Sequence, residues 1–360
     1  MKHLQIIILF ITLAISKQIS FGQNSDSTKT EAEEDYSQYG SLEESVKYCT
    51  QKVRFLSPTK LISIGYEFQA PFTAKFTAEK SDGNQTLKFD PPQEQQVEFL
   101  GGARWQANAP VISNNKFILN LSANYYESFF KTKTNDQSKP AEFNTFSSLS
   151  PGLRTMGLNA TAFKPLDEKH FIIASVSGDF NGNFTWDNFK DYFPRPTLTF
   201  AALYGWKKSD NFMWAVGATQ TWRGGEKLYV PLLMFNKTFN DKWGLEMLLP
   251  ARAHVRYNFS PQSLLLGGFE IEGNSYRMVT TPDAIFPNGI SHLRRSELKF
   301  RMIYEQKLFG FVWLSVQAGY RYNFRFNFSE ERDSKRGDFA ITSVLGNPLY
   351  AGISLNLVSP

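Results

Sequence analysis

From Val312 to Phe326 the chain alternates without a fault. Val312, Leu314, Val316, Ala318, Tyr320, Tyr322, Phe324 and Phe326 share one face; Trp313, Ser315, Gln317, Gly319, Arg321, Asn323 and Arg325 share the other. A period of two belongs to a β-strand, whose side chains point to opposite faces in turn. The pattern recurs in Ala251 to Phe259, in Glu297 to Glu305 and in the last strand, from Leu349 to Leu357. A strand with one wholly apolar and one wholly polar face separates a greasy medium from a wet one. The alternation begins near Leu61 and persists to the C-terminus, which reads as a single β domain.

The N-terminus narrows the choice of medium. Met1-Lys2-His3 is a short basic start, Leu4 to Ser16 is uncharged and mostly apolar, and Ser20 and Gly22 suit a cut before Gln23. This is the form of a secretory signal peptide over 1–22, because the apolar run is shorter than the ~20 residues of a spanning helix. No second stretch is long and apolar enough for such a helix, yet aromatics make up 15% of the chain. Export, aromatic richness and alternation together predict an all-β fold: a single transmembrane antiparallel up-and-down β-barrel in a bacterial outer membrane. A secreted soluble sandwich alternates as well and stands as the alternative.

Turns set the strand count. Short ones sit at 164–168, 207–210, 240–242, 259–262 and 307–310, and longer polar links at 131–147, 183–195, 274–291 and 327–340. In outer-membrane barrels short turns face the periplasm and long loops face outward. Alternation of the two kinds requires a hairpin apex near Pro250 and gives fourteen strands, with twelve if 242–258 is one kinked strand. Phe163 with Phe171, Trp206 with Phe212, Phe239 with Trp243, and Phe309, Phe311 and Trp313 flank the short turns, as a girdle at the lipid headgroups does.

Residues 23–52 are acidic and poor in apolar positions, so they read as a disordered periplasmic leader, with the barrel over 53–360. The single cysteine, Cys49, lies in this leader as a free thiol and excludes a disulfide scaffold or a cysteine metal cluster. The net charge of +5 comes without a basic stripe interleaved with aromatics, so no nucleic-acid partner is implied.

The stretch Trp243 to Tyr276, WGLEMLLPARAHVRYNFSPQSLLLGGFEIEGNSY, carries an LLPA turn, an Arg/Tyr strand and a later Glu-Gly-Asn-Ser-Tyr. It resembles a family of bacterial outer-membrane proteins known only as a domain of unknown function. The resemblance implies a barrel over most of the mature chain and transfers no catalytic residues. A monomer is expected, with outer-membrane lipids and the outer-membrane assembly machinery as partners.

Function is expected on the inner face. Glu246, Arg252, His254, Arg256, Glu270, Glu272, Glu297, Lys299, Arg301, Glu305, Arg321 and Arg325 all fall on the polar face of strands between 242 and 326. Two readings stand: opposite charges pair and fill the lumen, or separate rows line a small-solute pore. No catalytic residue, cofactor or metal site is assigned, because His170, His254 and His292 lack ligand spacing. An enzyme acting on lipid would need a Ser within reach of a His. The loop Thr185 to Pro196, with Trp186, Phe189, Tyr192 and Phe193, is expected either to bind a glycan or partner or to fold into the barrel mouth.

Overall fold

A computed structural model of the chain describes residues 47–81, 86–88, 92–132, 145–191, 196–223, 226–282, 285–330 and 339–359. The expected signal peptide and most of the leader, to residue 46, lie outside the described residues, as do Tyr192, Phe193 and parts of the long links.

Fourteen antiparallel strands close on themselves. β1 is Lys60–Gln69, resumed after Ala70-Pro71 as Phe72–Ser81. β2 is Gln93–Asn114, β3 Phe117–Thr132, β4 Leu153–Pro165 and β5 His170–Gly182. β6 is Thr197–Ser209, β7 Phe212–Arg223, β8 Glu226–Thr238, β9 Trp243–Leu249 and β10 Arg252–Ser260. β11 is Ser263–Val279, β12 Ile290–Phe309 and β13 Val312–Ser329; β14 is Ile341–Leu345, resumed as Leu349–Val358. Each strand pairs with its neighbours in sequence, and β1 pairs with β14 from Lys60↔Val358 to Gln69↔Tyr350. That pairing leaves neither the first nor the last strand as a free edge, and the strand ladders satisfy most of the backbone in a medium without water. The expected count of fourteen is the observed one, including the hairpin apex at Pro250, where the Leu249–Pro250 bond is cis.

The outer wall is apolar. Leu158, Val216, Val255, Phe300, Met302, Tyr320, Ile353 and Leu355 are exposed on it, far more apolar surface than a soluble barrel shows to water. Near the short turns Phe239, Trp243, Phe309 and Phe311 are exposed as the expected girdle, joined by Phe259. Phe163, Phe171 and Trp313 are not part of it. Phe163 and Phe171 are buried and stack with ring centres 5.1 Å apart, and Trp313 is buried with Leu264 and Ile303. These three point inward. Among the described residues no helix is long and apolar enough to cross a membrane; the strands do the crossing.

Three irregularities turn the inner face from polar to apolar partway up. In β1 the inward residues are Ser63, Gly65, Glu67 and Gln69 below the break, then Phe72, Ala74, Phe76 and Ala78 above it. β14 repeats the switch across its own break, at 346–348. β13 does it with a bulge: Glu297 pairs with Asn323 and Ser296 with Arg325, which leaves Phe324 as the extra residue. One extra residue flips every side chain beyond it. Phe326, expected to continue the lipid-facing row, is therefore buried inside, and so is Phe328 beyond it. With Phe76, Met278, Leu293, Ile341, Leu149 of the short helix Thr145–Leu149, and Ile285 and Phe286 of the β11–β12 link, they fill the loop end with an apolar core. Of the expected loop, the described residues 185–191 fold back: Trp186 stacks on Tyr125 with centres 5.9 Å apart, and Phe189 packs edge-on against Phe184.

Residues 47–59 form an ordered strap across the turn end. The Cys49 N–H donates to the carbonyl of Asp167 at 2.9 Å, and the Arg54 N–H to that of Asp210 at 2.9 Å. Lys207 Nζ donates to the Lys52 carbonyl at 2.9 Å and to Thr50, Thr238 Oγ1 donates to the Arg54 carbonyl at 2.6 Å, and Ser57 donates twice to Glu246. Cys49 and Val53 are buried beside Phe163, Phe171, Leu203 and Met213. Cys49 is thus a buried free thiol rather than part of a mobile tail. Its burial pushes the thiol's pKa up.

The loop end is not a full ring. β9 and β10 are short, so β8 above Leu233 and β11 above Glu270 lose their partners on that side. Higher up, β11 crosses to β5: Arg277 pairs with Gly182, and the Val279 N–H donates to Asn183 Oδ1 at 2.9 Å. The wall therefore has a gap, with the Pro250 apex as its sill.

Candidate functional site

Below the apolar core and above the strap lies a polar chamber of about 580 Å³. Its wall is built by β1–β3 and β8–β14. Glu67 and Arg104, which the expected set left out, are among the residues that line it. Arg104 Nη2 meets Glu67 at 2.9 Å and its Nη1 meets Glu272 at 3.5 Å. Lys299 Nζ, fully buried, meets Glu272 at 2.8 Å, Glu67 at 3.2 Å and Glu297 at 3.6 Å. Arg321 meets Glu297 at 3.2 Å and also Glu67. Arg295 meets Glu297 at 2.9 Å. Five basic and acidic strands thus share one interlocked cluster, capped by Tyr350, whose ring lies 5.1 Å from the Arg321 guanidinium and 5.5 Å from Lys299 Nζ.

Such burial is expensive. Desolvating an ion costs several kcal/mol, offset only by close partners of opposite sign. Each carboxylate here meets at least two cations, so the cluster satisfies that condition.

Smaller pairs flank the cluster. Arg256, fully buried, meets Glu246 at 3.2 Å and donates to Thr238 at 2.9 Å. Gly244 makes room for it, because a Cβ there would sit 2.1 Å from Arg256 Nη2. Lys60 meets Glu305 at 2.6 Å, and Arg301 binds Glu270. Arg301 Nε lies 3.4 Å from His254 Nε2. Arg252 is exposed to the chamber at the sill of the gap.

Of the twelve expected inward residues, eleven lie on the inner face. Arg325 does not. It stands opposite Ser296, on the outward side with Leu298 and Phe300, because the β13 bulge has already flipped the register. Glu67 and Arg104 carried the same signal as the others: Ser63, Gly65, Glu67 and Gln69 alternate with Ile64, Tyr66 and Phe68, and Arg104 with Ala103 and Trp105.

Among the described residues no group of three or more His, Cys, Asp or Glu is placed to hold a metal. His170 is occupied elsewhere: its Nδ1 lies 2.7 Å from Asp167 at the β4–β5 turn. Asp167 also accepts from the Lys169 N–H at 2.6 Å and the His170 N–H at 2.8 Å. The Lys169 N–H, then the His170 side chain, hold the Asp167 carboxyl below its usual range.

No curated protein sequence matches the chain. Several solved structures are similar in fold. An outer membrane channel from Pseudomonas putida F1 is 10% identical, covers 83% of this chain and 96% of its own, and has a TM-score of 0.36. The toluene transporter TodX of Pseudomonas putida is 8% identical, with 87% and 95% covered and a TM-score of 0.28. The outer membrane protease OmpT from Escherichia coli is 7% identical, with 84% and 99% covered and a TM-score of 0.27. The activities in those names belong to those proteins. A family model matches residues 123–351, the greater part of the barrel, and the chain therefore belongs to the family described as a domain of unknown function, DUF6268.

Proposed function

We propose that the protein is an outer-membrane channel for small solutes that rests closed, with its own strap as the stopper. One observation carries the reading. On the turn side the chamber is lined by strap residues 56–59. A segment held by side chains and turn carbonyls is releasable, whereas a wall of strand ladders is not. Each strap hydrogen bond is worth about 0.5–1.5 kcal/mol, and burying Val53 adds about 1.5–3 kcal/mol. The sum keeps the mouth shut at rest and is small beside the cost of opening a barrel.

In this reading the chain is exported through a cleaved signal over 1–22, assembled as a monomer by the outer-membrane machinery, and oriented with the turn end to the periplasm. The gap above Pro250 is then the outer entrance. In this reading the role is non-enzymatic: the His254 ring in the chamber faces the Arg301 guanidinium, not a serine.

A second reading, a barrel filled for structural reasons only, draws on the apolar core at the loop end. Solute efflux from liposomes separates the two. The wild-type protein is expected to retain a small solute, and Val53→Asp combined with Leu56→Asp to release it. Retention by both, with each protein still shifting mobility on boiling, supports the filled barrel instead.

A further inference from the structure

We infer that the chamber contains a binding site for a small hydroxylated carboxylate, with Arg252 as its anchoring cation. The inference rests on the chamber being reachable from the loop side, as proposed above. The other cations that face the chamber are committed: Arg104 to Glu67 and Glu272, Lys60 to Glu305, and Arg301 to Glu270. Arg252 stands opposite Glu270 in the strand register, but Glu270 is already bound by Arg301. Among the described residues Arg252 has no ion pair, and it is exposed at the sill of the gap, where a solute entering from the loop side arrives. His254, on the same face of β10, already accepts from Arg301 Nε through its Nε2 at 3.4 Å, so it leaves the anchoring role to Arg252.

A guanidinium presents a planar fork of donors that matches a carboxylate in two parallel hydrogen bonds. That geometry selects an organic acid over a halide ion. The rest of the ligand is read from the remaining wall. The amides of Gln106 and Asn236 line the chamber without a hydrogen-bond partner among the described residues. An amide offers both donor and acceptor, which suits hydroxyl groups. A volume of about 580 Å³ holds a monosaccharide-sized molecule with water around it. A carboxylate on a hydroxylated body of that size is a sugar acid.

The test is calorimetric titration of the full-length mature protein in detergent with D-galacturonate, D-galactose and, as a variant, Arg252→Gln. Arg252 is exposed and unpaired, so the variant is expected to fold, which the mobility shift on boiling checks. Galacturonate is expected to bind the wild type, with affinity lower by about tenfold or more for galactose and for the variant, about 1.4 kcal/mol each. Absence of galacturonate binding, equal affinity for galactose, or an unchanged Arg252→Gln overturns the site. The outcomes are separable from the closed-channel reading. Binding to a barrel that conducts steadily defeats the strap and leaves the site, while a closed barrel that binds nothing defeats the site alone.

Discussion

Lys299 shows what a single residue does here. It is fully buried and touches three carboxylates, Glu67, Glu272 and Glu297. Lys299→Met removes the charge, keeps most of the volume, and leaves those carboxylates short of a partner. Breaking a buried pair from one side costs about 3–5 kcal/mol, so the urea midpoint of the folded, heat-modifiable band is expected to fall markedly. Arg252→Gln, which breaks no pair, is expected to leave that midpoint nearly unchanged; equal effects of the two contradict the network. Cys49 reports on the strap in the same way. Its thiol is buried and its pKa raised, so little thiolate is present near neutral pH. Maleimide labelling of the folded protein is expected to be slower than of the unfolded chain by about tenfold or more, and Lys207→Ala to speed it. Asp167 sets a pH limit. Its folded pKa is depressed, so its contribution to the β4–β5 turn is complete above the ordinary 3.8 and is lost as pH falls through the lower folded value. Asp167→Asn is expected to flatten the acid dependence of the heat-modifiable band in that range. At this scale most of the site was legible, because eleven inward residues follow from parity alone. Glu67 and Arg104 obeyed the same parity and needed only that β1 and β2 be read with the same care. Gln106 and Asn236 stand on the inner face as well, but an amide among polar residues gives no hint that it lacks a partner.

At the scale of elements, the strands and their turns follow from alternation and turn chemistry, including the apex at Pro250 that splits 242–259 into β9 and β10. What alternation missed is where it breaks. The β13 bulge has no residue signature: Asn323-Phe324-Arg325 reads as unbroken strand, and only the pairing with Ser296 and Glu297 reveals the extra residue. Arg325 and Phe326 exchange faces as a result. Deletion of Phe324 tests this directly. It is expected to turn Phe326 and Phe328 toward lipid, strip the apolar core of two rings, and abolish the heat-modifiable band; a normally folded deletion variant contradicts the switch. The strap was not legible either. Residues 47–59 have no periodicity, and a short run of mixed polar, basic and apolar residues gives no local sign of order. Their order comes from bonds to Asp167, Lys207, Asp210, Thr238 and Glu246, all more than a hundred residues away. No local pattern encodes contacts of that range.

For the whole molecule, the balance of the two media decides the architecture. An apolar outer wall demands lipid, a closed ladder satisfies the backbone there, and the inner face must then be filled or wet. This chain does both, with an apolar core at the loop end, a paired charge cluster in the middle and a polar chamber below it. What separates a closed channel from a solid peg is the strap. Single-channel recording in planar bilayers tests that point most directly, using heat-modifiable mature protein and a variant lacking residues 23–58. The account predicts long silent traces for the intact protein and discrete, stable conductance steps for the shortened one. Steady conductance of the same size from both would show that the strap closes nothing.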